Sequence, residues 1–221
     1  MMALKRLAAI LLLLTLCCQA QAQLSRDRAG TWEAGFHLAD LSAVALDGSV
    51  GSFLEIDGST GYGFAGAYNF TNRLALMLDA NWSSPNYRAR FVPDGAGSPQ
   101  ILRTRLDVAT LHLKGVVYLF DGDLTPFVEG GLGWTNIDSN IVDGPPFTNC
   151  WWDPWWGYIC RSFYETYSET RTSYSAALGL RWDFSADLML RGSVGVLKVD
   201  TGADTEDASL DTVRFDLAWR F

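Results

Sequence analysis

The chain has 221 residues, with 25 acidic against 17 basic side chains for a formal net charge of −8, and it is rich in glycine and aromatics. The acidic balance argues against a nucleic-acid partner, which needs a basic face, and the aromatic content argues against disorder. The length allows one or two domains, but no repeat or linker divides it.

Residues 1–22 read as a cleaved signal peptide. Lys5 and Arg6 form a basic start, Leu7 to Cys18 is an apolar core, and Ala20-Gln21-Ala22 is a cleavage signal. The apolar run falls short of the roughly 20 residues that a membrane anchor needs. A lipoprotein leader is the alternative, since Cys17 and Cys18 follow the apolar run, but Leu16 stands where a small residue is expected. Residues 23–30 read as a periplasmic N-terminal segment and 31–221 as one barrel domain. Beyond the leader there is no apolar run of some 18 residues, and so no candidate transmembrane helix.

From Thr31 onward the chain reads as eight alternating strands. In the first, Thr31 to Asp40, Trp32, Ala34, Phe36 and Leu38 share one face, while Glu33, Gly35, His37 and Ala39 share the other. The second, Thr60 to Phe70, alternates aromatics (Tyr62, Phe64, Tyr68, Phe70) with small residues. The third, Arg73 to Ser83, sets Leu74, Leu76, Leu78 and Trp82 against Met77, Asp79 and Asn81. In the fourth, Arg105 to Phe120, Leu111, Leu113 and Val117 point outward, with Thr110, His112, Lys114 and Tyr118 inward. Leu106 and Val108 fit the opposite register better.

The fifth strand, Leu124 to Asp138, places Val128, Leu132 and Trp134 outward and Glu129 inward, and its Gly130, Gly131 and Gly133 suit close backbone approach in a small barrel. The sixth, Arg171 to Phe184, alternates Tyr174, Leu178, Leu180, Trp182 and Phe184 with Ser173, Ser175, Arg181 and Asp183. The seventh, Leu188 to Val199, turns Arg191 and Ser193 inward. The last, Leu210 to Phe221, alternates Val213, Phe215, Leu217, Trp219 and Phe221 with Thr212, Arg214, Asp216, Ala218 and Arg220.

Strict alternation with one greasy and one charged face is the pattern of a barrel wall between lipid and a polar lumen. The connections agree. Links of two or three residues alternate with four long ones, about Leu41–Ser59, Ser84–Thr104, Ser139–Thr170 and Asp200–Ser209. A soluble sandwich has no reason to gather every long loop at one end, whereas an outer-membrane barrel has short periplasmic turns and long external loops. Aromatics also gather at both strand ends, as interfacial belts do. The expected fold is therefore all-β: an eight-stranded antiparallel up-and-down transmembrane β-barrel with four long extracellular loops.

The signal peptide, the opening Trp32-Glu33-Ala34-Gly35, the stretch Thr125-Pro126-Phe127-Val128-Glu129-Gly130-Gly131-Leu132-Gly133-Trp134 and the ending Phe215-Asp216-Leu217-Ala218-Trp219-Arg220-Phe221 carry a resemblance. The chain resembles the small OmpA/OmpX-like outer-membrane β-barrels of Gram-negative bacteria. The resemblance implies location in the outer membrane among lipids and lipopolysaccharide. It also implies insertion by the barrel-assembly machinery, with Trp219 and Phe221 in the C-terminal assembly signal. The implied role is structural, or one of surface contact through the loops, with passage of small solutes or ions as the alternative and lipid modification third.

Glu33, Asp79, Lys114, Glu129, Arg181, Arg191, Arg214 and Asp216 are expected to line the lumen. Counted from the short-turn ends, most of them and His37 fall near mid-height, with Arg181 just below and signs roughly alternating around the barrel. Opposite charges in a narrow lumen should pair, and eight strands leave room only for side chains. A plugged lumen braced by salt bridges follows. A gated ion or proton path is the functional alternative.

Cys150 and Cys160 are the two cysteines beyond the leader and are expected to form a disulfide in an oxidising compartment. Between them Trp151, Trp152, Trp155, Trp156 and Tyr158 surround Asp153-Pro154, suggesting a hairpin pinned at its base. These aromatics form either a contact surface for a sugar or an unknown surface partner, or a cluster packed on neighbouring loops or among lipid headgroups. Asp200, Asp204, Glu206 and Asp207 make an acidic loop without the pattern of an EF-hand. His37 and His112 are the only histidines, and neither lies in a His-x-Ser pattern, so no catalytic residues are assigned. No phosphate-binding loop, dinucleotide fingerprint or zinc spacing is present, and no metal or cofactor is expected.

Overall fold

The computed structural model describes residues 27–47, 53–91, 100–200 and 208–221. The leader, residues 23–26 and the acidic Asp204, Glu206 and Asp207 lie outside them. The strands are β1 Trp32–Leu41, β2 Val44–Asp47, β3 Phe53–Ile56, β4 Ser59–Asn69, β5 Leu74–Ser83, β6 Asn86–Phe91 and β7 Gln100–Arg105. They continue as β8 Asp107–Tyr118, β9 Leu124–Val142, β10 Phe147–Asp153, β11 Gly157–Phe163, β12 Thr166–Asp183, β13 Leu188–Val199 and β14 Ala208–Arg220.

Eight strands close a barrel in the order β1-β14-β13-β12-β9-β8-β5-β4, each next to its neighbour along the chain. The ring closes where β1 meets β14, with His37 opposite Asp216 and Phe36 opposite Leu217. Beyond β14 the ladder continues by backbone bonds between Trp32 and Phe221, at 3.0 and 2.9 Å. Closure leaves no unpaired edge, which a sheet in lipid requires.

The eight expected strands match these eight, and their faces follow the alternation. Phe36, Leu38, Leu78, Leu132, Leu178 and Phe215 are exposed on the outside, while Glu33, Asp79, Lys114, Arg181 and Asp216 are buried within. An outer face this apolar is stable against lipid, not water. Aromatics meet in pairs at both ends. Trp32–Tyr68 and Trp182–Phe184 lie toward the short turns, at 4.9 and 5.6 Å, and Tyr62–Trp82 toward the long loops, at 6.2 Å. The short connections, 70–73, 119–123 and 184–187, hold four, five and four residues instead of two or three.

The glycines of β9 behave differently by face. A Cβ at Gly131 would stand 2.6 Å from Lys114 Cγ, and one at Gly133 2.5 Å from the His112 ring, so these two make room for lumen side chains lying across the neighbouring strand. Gly130 faces outward, and a Cβ there would meet only ordinary contacts.

The long connections are not bare loops. β2, β3, β6 and β7 form a four-stranded sheet above the barrel, and β10 and β11 a separate hairpin. The strands that carry the hairpin, β9 and β12, run to 19 and 18 residues.

Candidate functional site

The lumen charges form two layers: those counted near mid-height make the upper one, and Glu33, Arg181, Asp183 and Arg220, near the short-turn ends of their strands, make a lower one. In the lower layer Arg181 holds Glu33 through two bonds, of 2.7 and 3.0 Å, and donates a third to Asp183 at 2.7 Å. Arg220 donates to Asp183 at 2.8 Å, and Asn69 to Glu33 at 2.7 Å. Arg28, just before β1, reaches in from the short-turn end to Asp183 at 2.9 Å, and its backbone amide bonds the Asn72 side chain at 2.7 Å. Arg28 and Arg181 both stack on the Tyr118 ring, at 5.3 and 4.9 Å from its centroid. The Tyr118 ring belongs to an apolar cluster that includes Met77, Val116 and Phe127.

In the upper layer Lys114 bridges Asp79 and Glu129, each at 3.3 Å. Arg214 bridges Asp79 and Asp216, and Arg191 reaches Asp216 at 3.2 Å. All eight expected lumen residues are buried, and each stands in an ion pair. The sequence reading left Arg28, Asp183 and Arg220 out of this network. The alternation that turned Asp183 and Arg220 inward was the available signal, whereas Arg28 lies outside any strand and gave none. The two ring nitrogens of His37 have no hydrogen-bond partner in the protein. His37 borders a cavity of about 60 Å3, room for a few waters.

Above the ion pairs lies a layer of hydroxyls. Thr110 meets Thr135 at 3.3 Å, Thr135 bonds Ser173 at 2.9 Å, and His112 bonds Ser173 and Ser175 at 2.7 and 3.0 Å. A histidine and a serine therefore do meet in space, although not in sequence. Both ring nitrogens face hydroxyls with no orienting carboxylate on either, and Ser173 is 0% exposed. A nucleophile needs an oriented base and access to substrate, and this pair has neither.

The inner face turns apolar at the mouth. Leu41, Leu197 and Val199 cluster there with Ile137 and Leu210. With Leu106 and Val108 they line a cavity of about 570 Å3. The awkward register of Leu106 and Val108 is thereby explained: both face inward, in register with Thr110, at a height where the inner wall is greasy. That conflict was the one sequence signal of the cavity.

The aromatic loop is a β-hairpin. The Cys150–Cys160 disulfide joins directly paired residues, with Cα atoms 4.0 Å apart. It sits mid-ladder instead of at the base, with pairs Phe147–Phe163 to Asn149–Arg161 on one side and Trp151–Ile159 to Asp153–Gly157 on the other. At the tip the Asp153 carboxylate accepts the backbone amides of Trp155 and Trp156 at 2.8 and 3.0 Å, and Gly157 takes φ 74° to complete the turn. Trp152 and Tyr158 pair across one face, 68% and 71% exposed, while Trp155 and Trp156 are 83% and 78% exposed. Trp151 lies on the other face, 39% exposed. Trp152, Trp155, Trp156 and Tyr158 are thus the most open of these side chains among the described residues. Among the described residues no three His, Cys, Asp or Glu are grouped to hold a metal ion.

The comparisons agree with this architecture. Ail of Yersinia pestis, solved in complex with the heparin analogue sucrose octasulfate, is 12% identical with a TM-score of 0.51, covering 87% of this chain and 99% of that one. OprG of Pseudomonas aeruginosa is 10% identical with a TM-score of 0.59, covering 90% and 99%. Neisserial surface protein A is 10% identical with a TM-score of 0.50, covering 86% and 97%. At these identities the likeness is one of fold. Among curated proteins the comparison finds no match. The outer membrane protein beta-barrel domain family matches residues 8–221, and the chain belongs to that family as a β-barrel of the bacterial outer membrane.

Proposed function

We propose that this outer-membrane barrel is a surface-contact protein, with a sealed lumen as its brace and the disulfide-tied hairpin as its contact element. The observation that carries the reading is the exposure of Trp152, Trp155, Trp156 and Tyr158 on an ordered hairpin. Large exposed aromatics are costly in water and mark contact surfaces. The eight residues of β9 beyond Trp134 amount to roughly 25 Å of strand at ~3.3 Å each. Even tilted, that length exceeds the ~5–8 Å of headgroup region on each side of the bilayer core, which favours a contact outside the membrane over a headgroup anchor.

The chemistry is that of stacking. Ail was solved with a heparin analogue, sucrose octasulfate; the hairpin here offers one guanidinium, Arg161, and one carboxylate, Asp153, beside the five aromatics between its cysteines. A neutral saccharide face fits that set better than a sulfated one. The outer belts contact outer-membrane lipids and lipopolysaccharide, and Trp219 and Phe221 serve insertion by the barrel-assembly machinery. Residues 1–22 direct export, and 23–30 remain at the periplasmic end.

The test is a titration of the barrel in nanodiscs with maltoheptaose and with heparin, followed by tryptophan fluorescence. The reading expects a saturable response to the neutral sugar that is lost in the Trp155→Ala/Trp156→Ala double variant, with the heat-resistant fold intact. Loss of the fold in that variant would mark the aromatics as packing elements. A response to heparin alone would replace stacking by charge.

A further inference from the structure

The cavity at the mouth has a chemistry that a brace does not need. Below it the lumen is filled by hydroxyls and ion pairs, yet here Leu41, Leu106, Val108, Ile137, Leu197 and Val199 turn inward. Its volume of about 570 Å3 lies within the range of small-molecule sites. Packed interiors leave few voids larger than a water, so an apolar space of this size is built to be filled. Its floor includes the hydroxyls of Ser83 and Thr135, which belong to the polar layer.

The rim selects among ligands. Asp57, Glu169 and Asp200 stand among its lining residues, and the one guanidinium among the described lining residues, Arg171, pairs with Glu169 at 2.6 Å. Carboxylates outnumber cations at the entrance, so the rim opposes an anionic head and favours an uncharged or cationic one.

We infer that the mouth of the barrel is a binding site for a single alkyl chain carrying a cationic or uncharged head, with the chain in the apolar cup and the head at the acidic rim. The inference is independent of the hairpin: it concerns the other end of the long loops and a different ligand chemistry.

The experiment uses the full barrel in phosphatidylcholine nanodiscs and two short probes of equal chain length, octylammonium and octanoate. Short chains keep partition into the bilayer small, and empty nanodiscs supply the background. Calorimetry should show saturable binding of octylammonium above background, and binding of octanoate weaker by at least about tenfold, since the rim repels it. Val108→Trp and Ile137→Trp each fill the cup and should abolish the saturable component while the band still shifts on boiling. If either variant fails to fold, wild-type NMR decides: cross-peaks between the octyl methylenes and the methyls of Leu106, Val108 and Leu197 are expected. No saturable binding, binding untouched by folded cup-filling variants, or cross-peaks confined to lipid-facing methyls would overturn the site. Equal affinity for octanoate would overturn the selection by the rim.

Discussion

The lower lumen and the mouth are built on the same inner face of the same strands, and their chemistries are opposite. At the short-turn end Glu33, Arg181, Asp183, Arg220 and Arg28 are buried, and every one is paired. At the long-loop end the inner face carries Leu41, Leu106, Leu197 and Val199 around open space. Alternation tells which way a side chain points, but not whether that direction leads to a packed interior or to a cavity. Height along the strand decides that.

The comparison breaks most visibly at Arg181. Truncating it leaves Glu33 and Asp183 buried without their principal partner, and removing one member of a buried pair costs about 3–5 kcal/mol. Arg181→Ala should lower the stability of the folded barrel by that order, read as a drop in the urea midpoint of the heat-resistant band. At the mouth the corresponding change is mild. Val108 is half-buried beside a cavity, and Val108→Ala removes two methyl groups at about 0.8 kcal/mol each, so it should cost no more than about 1.6 kcal/mol. A mouth as sensitive as the floor would mean that the cup is closely packed in the membrane.

The smallest effect is expected outside both regions. Asp121 in the 119–123 turn takes two bonds of 2.8 Å from Arg73. That hydrogen bonding holds its carboxyl below the usual carboxylate range. Because the folded value is lowered, the contribution is present above the ordinary aspartate value and is lost as pH falls through the lowered one. Asp121→Asn should therefore differ slightly from wild type at neutral pH, and the two unfolding midpoints should converge in acid. The difference is small because exposed pairs are screened by water and salt.

Much of the barrel was legible in the sequence for one physical reason. Lipid outside and charge inside impose a period of two on every spanning strand, and Val213 to Phe221 or Tyr174 to Phe184 can satisfy it in one register only. The same period placed all eight lumen charges inside. Their pairing was not legible, because alternation gives the face of each residue and not its partner across the barrel, as with Arg181 and Glu33. The sheet of β2, β3, β6 and β7 was missed although Tyr87-Arg88-Ala89-Arg90 alternates, since its strands of four to six residues lie within connections. The hairpin was read from the near-symmetry of Trp151-Trp152 and Trp155-Trp156 about Asp153-Pro154, but the position of the disulfide was not. Ladder register places Cys150 opposite Cys160, and spacing alone does not fix register.

The sealed lumen is the central claim, and conductance tests it most directly. Barrel refolded in detergent and inserted in planar bilayers should show no discrete single-channel openings, while the unboiled band still shifts on boiling. Stable discrete openings that change with Lys114→Gln or Arg191→Gln would contradict the account and make the ion-pair layers a conduction path.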